Sequence, residues 1–186
     1  WTDSLASFLN QWESTGRWPD ALRQNIIALV PKPGALHEKQ LRPIGLLSYV
    51  YRVWMVIRKL HLSTWSRTLH GGRHQGAAEL ATRTRIDMEL DHWRGFFTLL
   101  ALLDCSKRYE RVSHAVAGTR AVAAGFPDTI MNLIMHMYSA PRRLRAHGAI
   151  GNITQGHHGL IAGCSFAKDI LKAFLRIAST LDLPPR

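Results

Sequence analysis

Cysteine is scarce in this sequence: Cys105 and Cys164 are the two in 186 residues. That excludes a disulfide framework and suits a reducing, intracellular compartment, the nucleus among them. Acids are scarce too, with 13 Asp and Glu against 24 Lys and Arg, so the formal net charge is +11. Long apolar runs are missing. The longest, Phe96 to Leu103, falls far short of the roughly 20 residues that span a bilayer, so no membrane contact is expected. No signal peptide is visible, because Trp1-Thr2-Asp3 opens the chain without a basic segment ahead of an apolar one. That first residue is not Met, as expected of a piece of a longer protein. Repeats, low-complexity tracts and heptad arrays are absent. What is present, 46% hydrophobic and 20% charged residues, is ordinary for a globular core and excludes global disorder.

The positive surplus is unevenly placed. No acid falls between Glu38 and Glu79, where Lys39, Arg42, Arg52, Arg58, Lys59, Arg67 and Arg73 stand. A second acid-free stretch, from Asp128 to Asp169, holds Arg142, Arg143, Arg145 and Lys168. Such stretches suit contacts to a nucleic-acid backbone; the alternative is a basic, solvated surface. Tyr49, Tyr51, Trp54 and Trp65 are interleaved with the first stretch and could stack on bases. They also share a helical segment with Val50, Val53, Val56 and Ile57, which favours a place in the core.

Periodicity predicts a helix from Ser4 to Trp12 that Gly16 ends, then a strand over Asn25 to Val30 stopped by Pro31-Lys32-Pro33-Gly34. Arg42 to Leu47 reads as a short strand that Pro43 confines to an edge or a strand start. Ser48 to Trp65 and Ala77 to Trp93 read as helices, the first with Arg52, Lys59 and Ser63 on one face. Phe96 to Asp104 reads as a strand buried on both faces. Ser113 to Ala124 and Pro127 to Tyr138 are helical, Arg142 to His147 is extended, and Cys164 to Leu181 is a last helix. Strands mixed irregularly with helices predict an α+β fold.

Asp104 is the sharpest local feature. A carboxylate at the end of a buried strand is costly unless a cation or hydrogen bonds compensate it, and Mg²⁺ is the usual hard-cation partner. The competing role is to cap the turn that begins Cys105-Ser106-Lys107.

The run Leu103-Asp104-Cys105-Ser106-Lys107-Arg108-Tyr109-Glu110-Arg111-Val112 resembles the first catalytic palm motif of reverse transcriptases of the non-LTR retrotransposon type. Val30-Pro31-Lys32-Pro33-Gly34 with Arg42-Pro43-Ile44-Gly45-Leu46-Leu47 resembles the fingers motif of that family, and Gly71-Gly72-Arg73 resembles the Gly-rich start of its next helix. Gly159-Leu160-Ile161-Ala162-Gly163-Cys164 resembles its Gly-Cys turn. The motifs occur in the family's order over nearly the whole chain. The resemblance implies a helix-rich fingers/palm fold, with a fingers-like region over 1–94 and a partial palm over 95–186 carrying a small, incomplete antiparallel sheet. It implies RNA-templated DNA synthesis, with RNA template, DNA primer and dNTP as partners. Asp104 and the backbone carbonyl of Cys105 would hold Mg²⁺ in a two-metal mechanism. Tyr109 would lie beneath the incoming sugar, Lys32 and Arg42 would hold the triphosphate, and Gly163 would let the backbone approach the nucleotide. Arg52, Lys59, Arg73, Arg142, Arg143 and Arg145 would meet the nucleic acid.

The sequence also departs from the family. Arg108 stands where a small Ala is usual, Glu110 replaces Asp, and Ala162 replaces Gln. The second carboxylate motif, aromatic-x-Asp-Asp, does not occur in these residues, so the chain by itself is expected to be inert. The alternative is a degenerate remnant that only binds nucleic acid. Among other sites, His70 and His74 are separated by Gly71-Gly72 and His157-His158 are adjacent, so neither pair has ligand spacing. A Cys–His hydrolase built on Cys164 has no local support beyond the presence of histidines.

Overall fold

The computed structural model describes residues 2–34, 37, 40–68, 77–99 and 109–176. The first helix, α1 (Thr2–Thr15), is followed by a short 3₁₀ turn at Asp20–Leu22 and the hairpin β1 (Asn25–Pro31) and β2 (Leu41–Leu46). Then come α2 (Tyr49–His61), α3 (Ser63–Thr68) and α4 (Ala77–Trp93). The second half holds α5 (His114–Ala123), α6 (Asp128–Tyr138), the hairpin β3 (Pro141–Ala146) and β4 (Ala149–Gln155), and α7 (Ala167–Arg176). The fold is α+β and helix-rich.

The four strands form one sheet in the order β2-β1-β3-β4. β1 pairs antiparallel with β2 and parallel with β3, so the sheet is mixed rather than antiparallel as expected. It also joins strands from both of the regions read from the sequence. Pro43 opposes Leu29 on the edge strand β2, where its missing N–H leaves no ladder bond unmade. The β3–β4 turn is His147-Gly148, with both residues at positive φ (48° and 83°), the geometry a two-residue hairpin needs to match strand twist.

The core is aromatic where the helices meet the sheet. Trp18 lies 5.4 Å from Trp12, 5.3 Å from Tyr51 and 5.4 Å from Trp54 between ring centroids, and Trp54 reaches Phe166 at 5.8 Å. Trp18 also donates its indole N–H to the Leu133 carbonyl (3.0 Å) and its backbone N–H to His136 Nδ1 (2.9 Å). Tyr51 and Trp54 are therefore core residues and Tyr49 is exposed, so α2 offers one ring to solvent, not a stacking row. Each large buried ring is worth about 1.5–3 kcal/mol in area removed from water. Ile130, Met131, Leu133, Ile134 and Met137 of α6 fill the centre, and α5 packs on α7, with Ala117 and Ala121 of the one and Ile170 and Ala173 of the other buried.

Three expectations change. The helix read over Ser48–Trp65 is two, broken at Leu62. The last helix begins at Ala167, because Ala162–Gly163 and Ser165–Phe166 are turns. Residues 96–99 of the strand read over Phe96–Asp104 are neither extended in a sheet nor buried: Phe96, Phe97 and Leu99 are exposed. An apolar run fixes no periodicity by itself, and here it follows the end of α4 and pairs with no described strand. The rest of that strand, 100–104, lies outside the described residues.

Candidate functional site

Main-chain hydrogen bonds tie three distant stretches together. The Gly45 N–H of β2 donates to the Ala162 carbonyl (2.5 Å), the Leu160 N–H to the Tyr109 carbonyl (2.8 Å), and the Gly159 N–H to the Val112 carbonyl (2.8 Å). Ser113 and His158 add an isolated bridge, and His114 Nε2 lies 2.9 Å from the Gly159 carbonyl oxygen. A cavity of about 210 Å³ opens at this junction, lined by Pro43, Gly45, Tyr109, Arg142, His158 and Ala162 among others. Three sequence motifs thus border one cleft.

Close packing explains the glycines at the junction. A Cβ on Gly163, whose φ is +110°, would stand 2.8 Å from the Gly45 carbonyl oxygen. A Cβ on Gly45 would run into the Ile161 side chain. The space that Gly163 was expected to leave for a nucleotide is thus occupied by β2 itself.

The other sequence-derived residues separate. Arg42 sits on β2 with Ile44 and Leu46, the face opposite Pro43 and Gly45, so it points away from the Tyr109 cleft. Lys32 is exposed just beyond β1, its N–H donating to the Gln40 carbonyl (3.3 Å) near Arg42. The register aligns Leu46, Ile26, Arg143 and Ile153 across the sheet, and Ile44, Ala28, Arg145 and Ile150 beside them. Arg42, Arg143 and Arg145 therefore share one solvent-facing sheet face, and none of them pairs with a described acid. A hollow of about 600 Å³ on that face is lined by Arg23, Ile26, Arg143, Ile150 and Ile153.

Arg142 turns the other way. Its Nη2 donates to the Tyr138 carbonyl (2.6 Å) and its Nη1 reaches the His158 carbonyl at 3.4 Å, which braces α6 against the cleft wall. Lys59 is likewise engaged, donating to the Ser165 carbonyl (2.6 Å) and lying 3.5 Å from the Asp169 carboxylate. Buried Asp169 also accepts from Ser66 Oγ (3.0 Å), a structural role. Arg52 is exposed on α2. Asp104, Cys105 and Arg73 lie outside the described residues, as do Arg108, His70 and His74. Among the described residues no three His, Cys, Asp or Glu side chains gather as metal ligands.

Cys164 is buried, 3.6 Å from the Tyr51 hydroxyl. Burial pushes its thiol pKa up, so it stays protonated and is a poor nucleophile. Burial raises the Tyr51 and Tyr138 phenols as well. Sequence reasoning did not find the Glu13 clamp, in which one carboxylate accepts from Trp54 Nε1 and from Arg58 Nε and Nη2. The carboxylate comes from α1 and its donors from α2, so no local spacing announces the clamp.

Neither protein-family models nor curated proteins match the chain.

Proposed function

We propose that the chain forms the fingers and part of the palm of a reverse transcriptase-like protein, which in full joins deoxynucleotides on an RNA template. The observation that carries this reading is the cleft itself. The stretches resembling the fingers motif, the first palm motif and the Gly-Cys turn are distant in sequence, yet backbone hydrogen bonds hold them around one cavity. In this reading Tyr109 supports the incoming sugar from the cleft wall, and the sheet face bearing Arg42, Arg143 and Arg145 meets phosphates. Asp104 with the Cys105 carbonyl is the place for Mg²⁺, which would supply charge neutralisation at the triphosphate.

The unpaired arginines of the sheet face support a second reading, a remnant that binds nucleic acid without chemistry. The two readings share binding and part at Asp104. Primer extension on an RNA template with Mg²⁺, run beside binding of the same template–primer, separates them from a plain basic protein. The 186 residues are expected to bind and not to extend, since no aromatic-x-Asp-Asp follows Asp104 within them. Processive product would overturn the expected inertness. Binding that survives Asp104→Ala fits the remnant; loss of binding without unfolding counts against it.

A further inference from the structure

Half-buried Arg58 and Arg23 each meet a carboxylate, that of Glu13 and that of Asp20. Arg142, also half-buried, meets none. Its partners among the described residues are the Tyr138 carbonyl (2.6 Å) and the His158 carbonyl (3.4 Å). Those two bonds engage two of the five N–H groups of a guanidinium, and the Arg142 Nε is buried without an acceptor. A guanidinium does not shed its charge, and carbonyl dipoles answer a full charge only in part. Burial pulls the Arg142 pKa down, with the Tyr138 phenol opposing.

The neighbours of Arg142 add positive charge. His158 lines the same cleft, and His114 touches the cleft's backbone at Gly159. Burial, together with Arg142, His158 and His157, lowers the His114 pKa against its bond to Gly159, and no described acid acts on it. Glu110 lines the cleft too, but it is exposed and makes no ion pair with a described cation. Gly156 leaves the guanidinium its room, since a Cβ there would stand 2.5 Å from the guanidinium carbon. The cleft holds about 210 Å³, less than the roughly 300–1,000 Å³ that encloses a whole small ligand, so it admits one group of a larger molecule. We propose that this cleft is a phosphate-binding site, anchored on Arg142 with His158 beside it. A phosphate group offers acceptor oxygens in several directions, so donors from β3 and from the stretch after β4 can hold it together, which a planar carboxylate does less well. The site shares the cleft of the proposed polymerase but follows from its charge and shape, not from that reading.

Amide NMR titration of the 186-residue chain with inorganic phosphate, at constant ionic strength, tests it. Saturable shifts are expected at Gly156, His158 and Gly159, with a dissociation constant of about 1 mM, and acetate is expected to bind at least about tenfold more weakly. Arg142→Gln should weaken phosphate about tenfold. Because Arg142 also braces α6, Glu110→Gln is the companion variant: it removes the acid from the cleft wall and should tighten phosphate about threefold with an unchanged melt. A deoxynucleoside triphosphate and a 5′-phosphorylated trinucleotide are titrated in the same way; tighter binding of either supports the site and tells whether the phosphate arrives on a free nucleotide or on a strand. Absence of saturable shifts up to about 50 mM phosphate overturns the proposal, as does acetate binding equally well or an affinity that neither variant moves. Phosphate binding by a chain that ignores template–primer would leave this site standing and remove the polymerase reading.

Discussion

Gly163 holds a backbone angle that a residue with a Cβ rarely adopts, and the Gly45 carbonyl fills the space where that Cβ would go. The two costs add, because relieving the contact means moving β2. Gly163→Ala is therefore expected to lower unfolding stability by about 3 kcal/mol, read as a shift in the denaturation midpoint. A midpoint unchanged from wild type would mean that the junction is loose. Histidine sets a second expectation at this scale. His136 accepts the Trp18 N–H on Nδ1, and burial together with Arg23 and Arg17 lowers its pKa against the opposing pull of Asp20. Burial lowers His114 as well, with Arg142, His158 and His157 adding to it and its bond to Gly159 opposing. Both groups bind fewer protons folded than unfolded. Stability is therefore full above the unfolded value near 6.5 and falls as pH drops below it towards the folded values. Denaturation midpoints should decline from pH 7 to 5, and His136→Gln should flatten part of that slope.

At the scale of elements, α1 is fastened to α2 by Glu13, half-buried between Arg58 and Trp54. Glu13→Ala leaves the guanidinium and indole donors short of an acceptor and is expected to cost about 2 kcal/mol; Glu13→Gln, which can still accept one bond, should cost less. Thermal melts of the two variants give the order. The elements were legible where side-chain chemistry dictated them. α4 begins and ends where its sequence pattern did, and Pro43 foretold an edge strand. β4 left no such trace, because Ala149–Gln155 is exposed along its whole length and shows no alternation of buried and polar residues. Its strand follows from the turn at His147-Gly148 and from pairing with β3. Phe96–Leu99 failed in the opposite sense, since hydrophobicity alone stated neither extension nor burial. The cleft was half legible: its motifs could be named, but the Gly45–Ala162 bond is a long-range fact that no window of sequence contains, and which way Arg142 turns is set by its place beside Asn25 in the sheet.

At the scale of the whole molecule, the surplus of +11 is divided by the fold. Lys59 and Arg58 are spent on internal carboxylates, and Arg142 on carbonyls. Arg42, Arg143 and Arg145 remain together on a sheet face that they share with Ile26, Ala28, Ile44, Leu46, Ile150 and Ile153. Three phosphate contacts there would make the logarithm of a single-strand binding constant fall with a slope of about −2 against the logarithm of salt concentration. The proposed function puts a template–primer path on this chain, and fluorescence anisotropy of a labelled RNA–DNA template–primer tests it most directly. The account predicts salt-sensitive binding roughly tenfold tighter than to a blunt DNA duplex of equal length, and its loss in Arg143→Glu with Arg145→Glu. Equal affinity for the two nucleic acids, or binding unmoved by those substitutions, would contradict it.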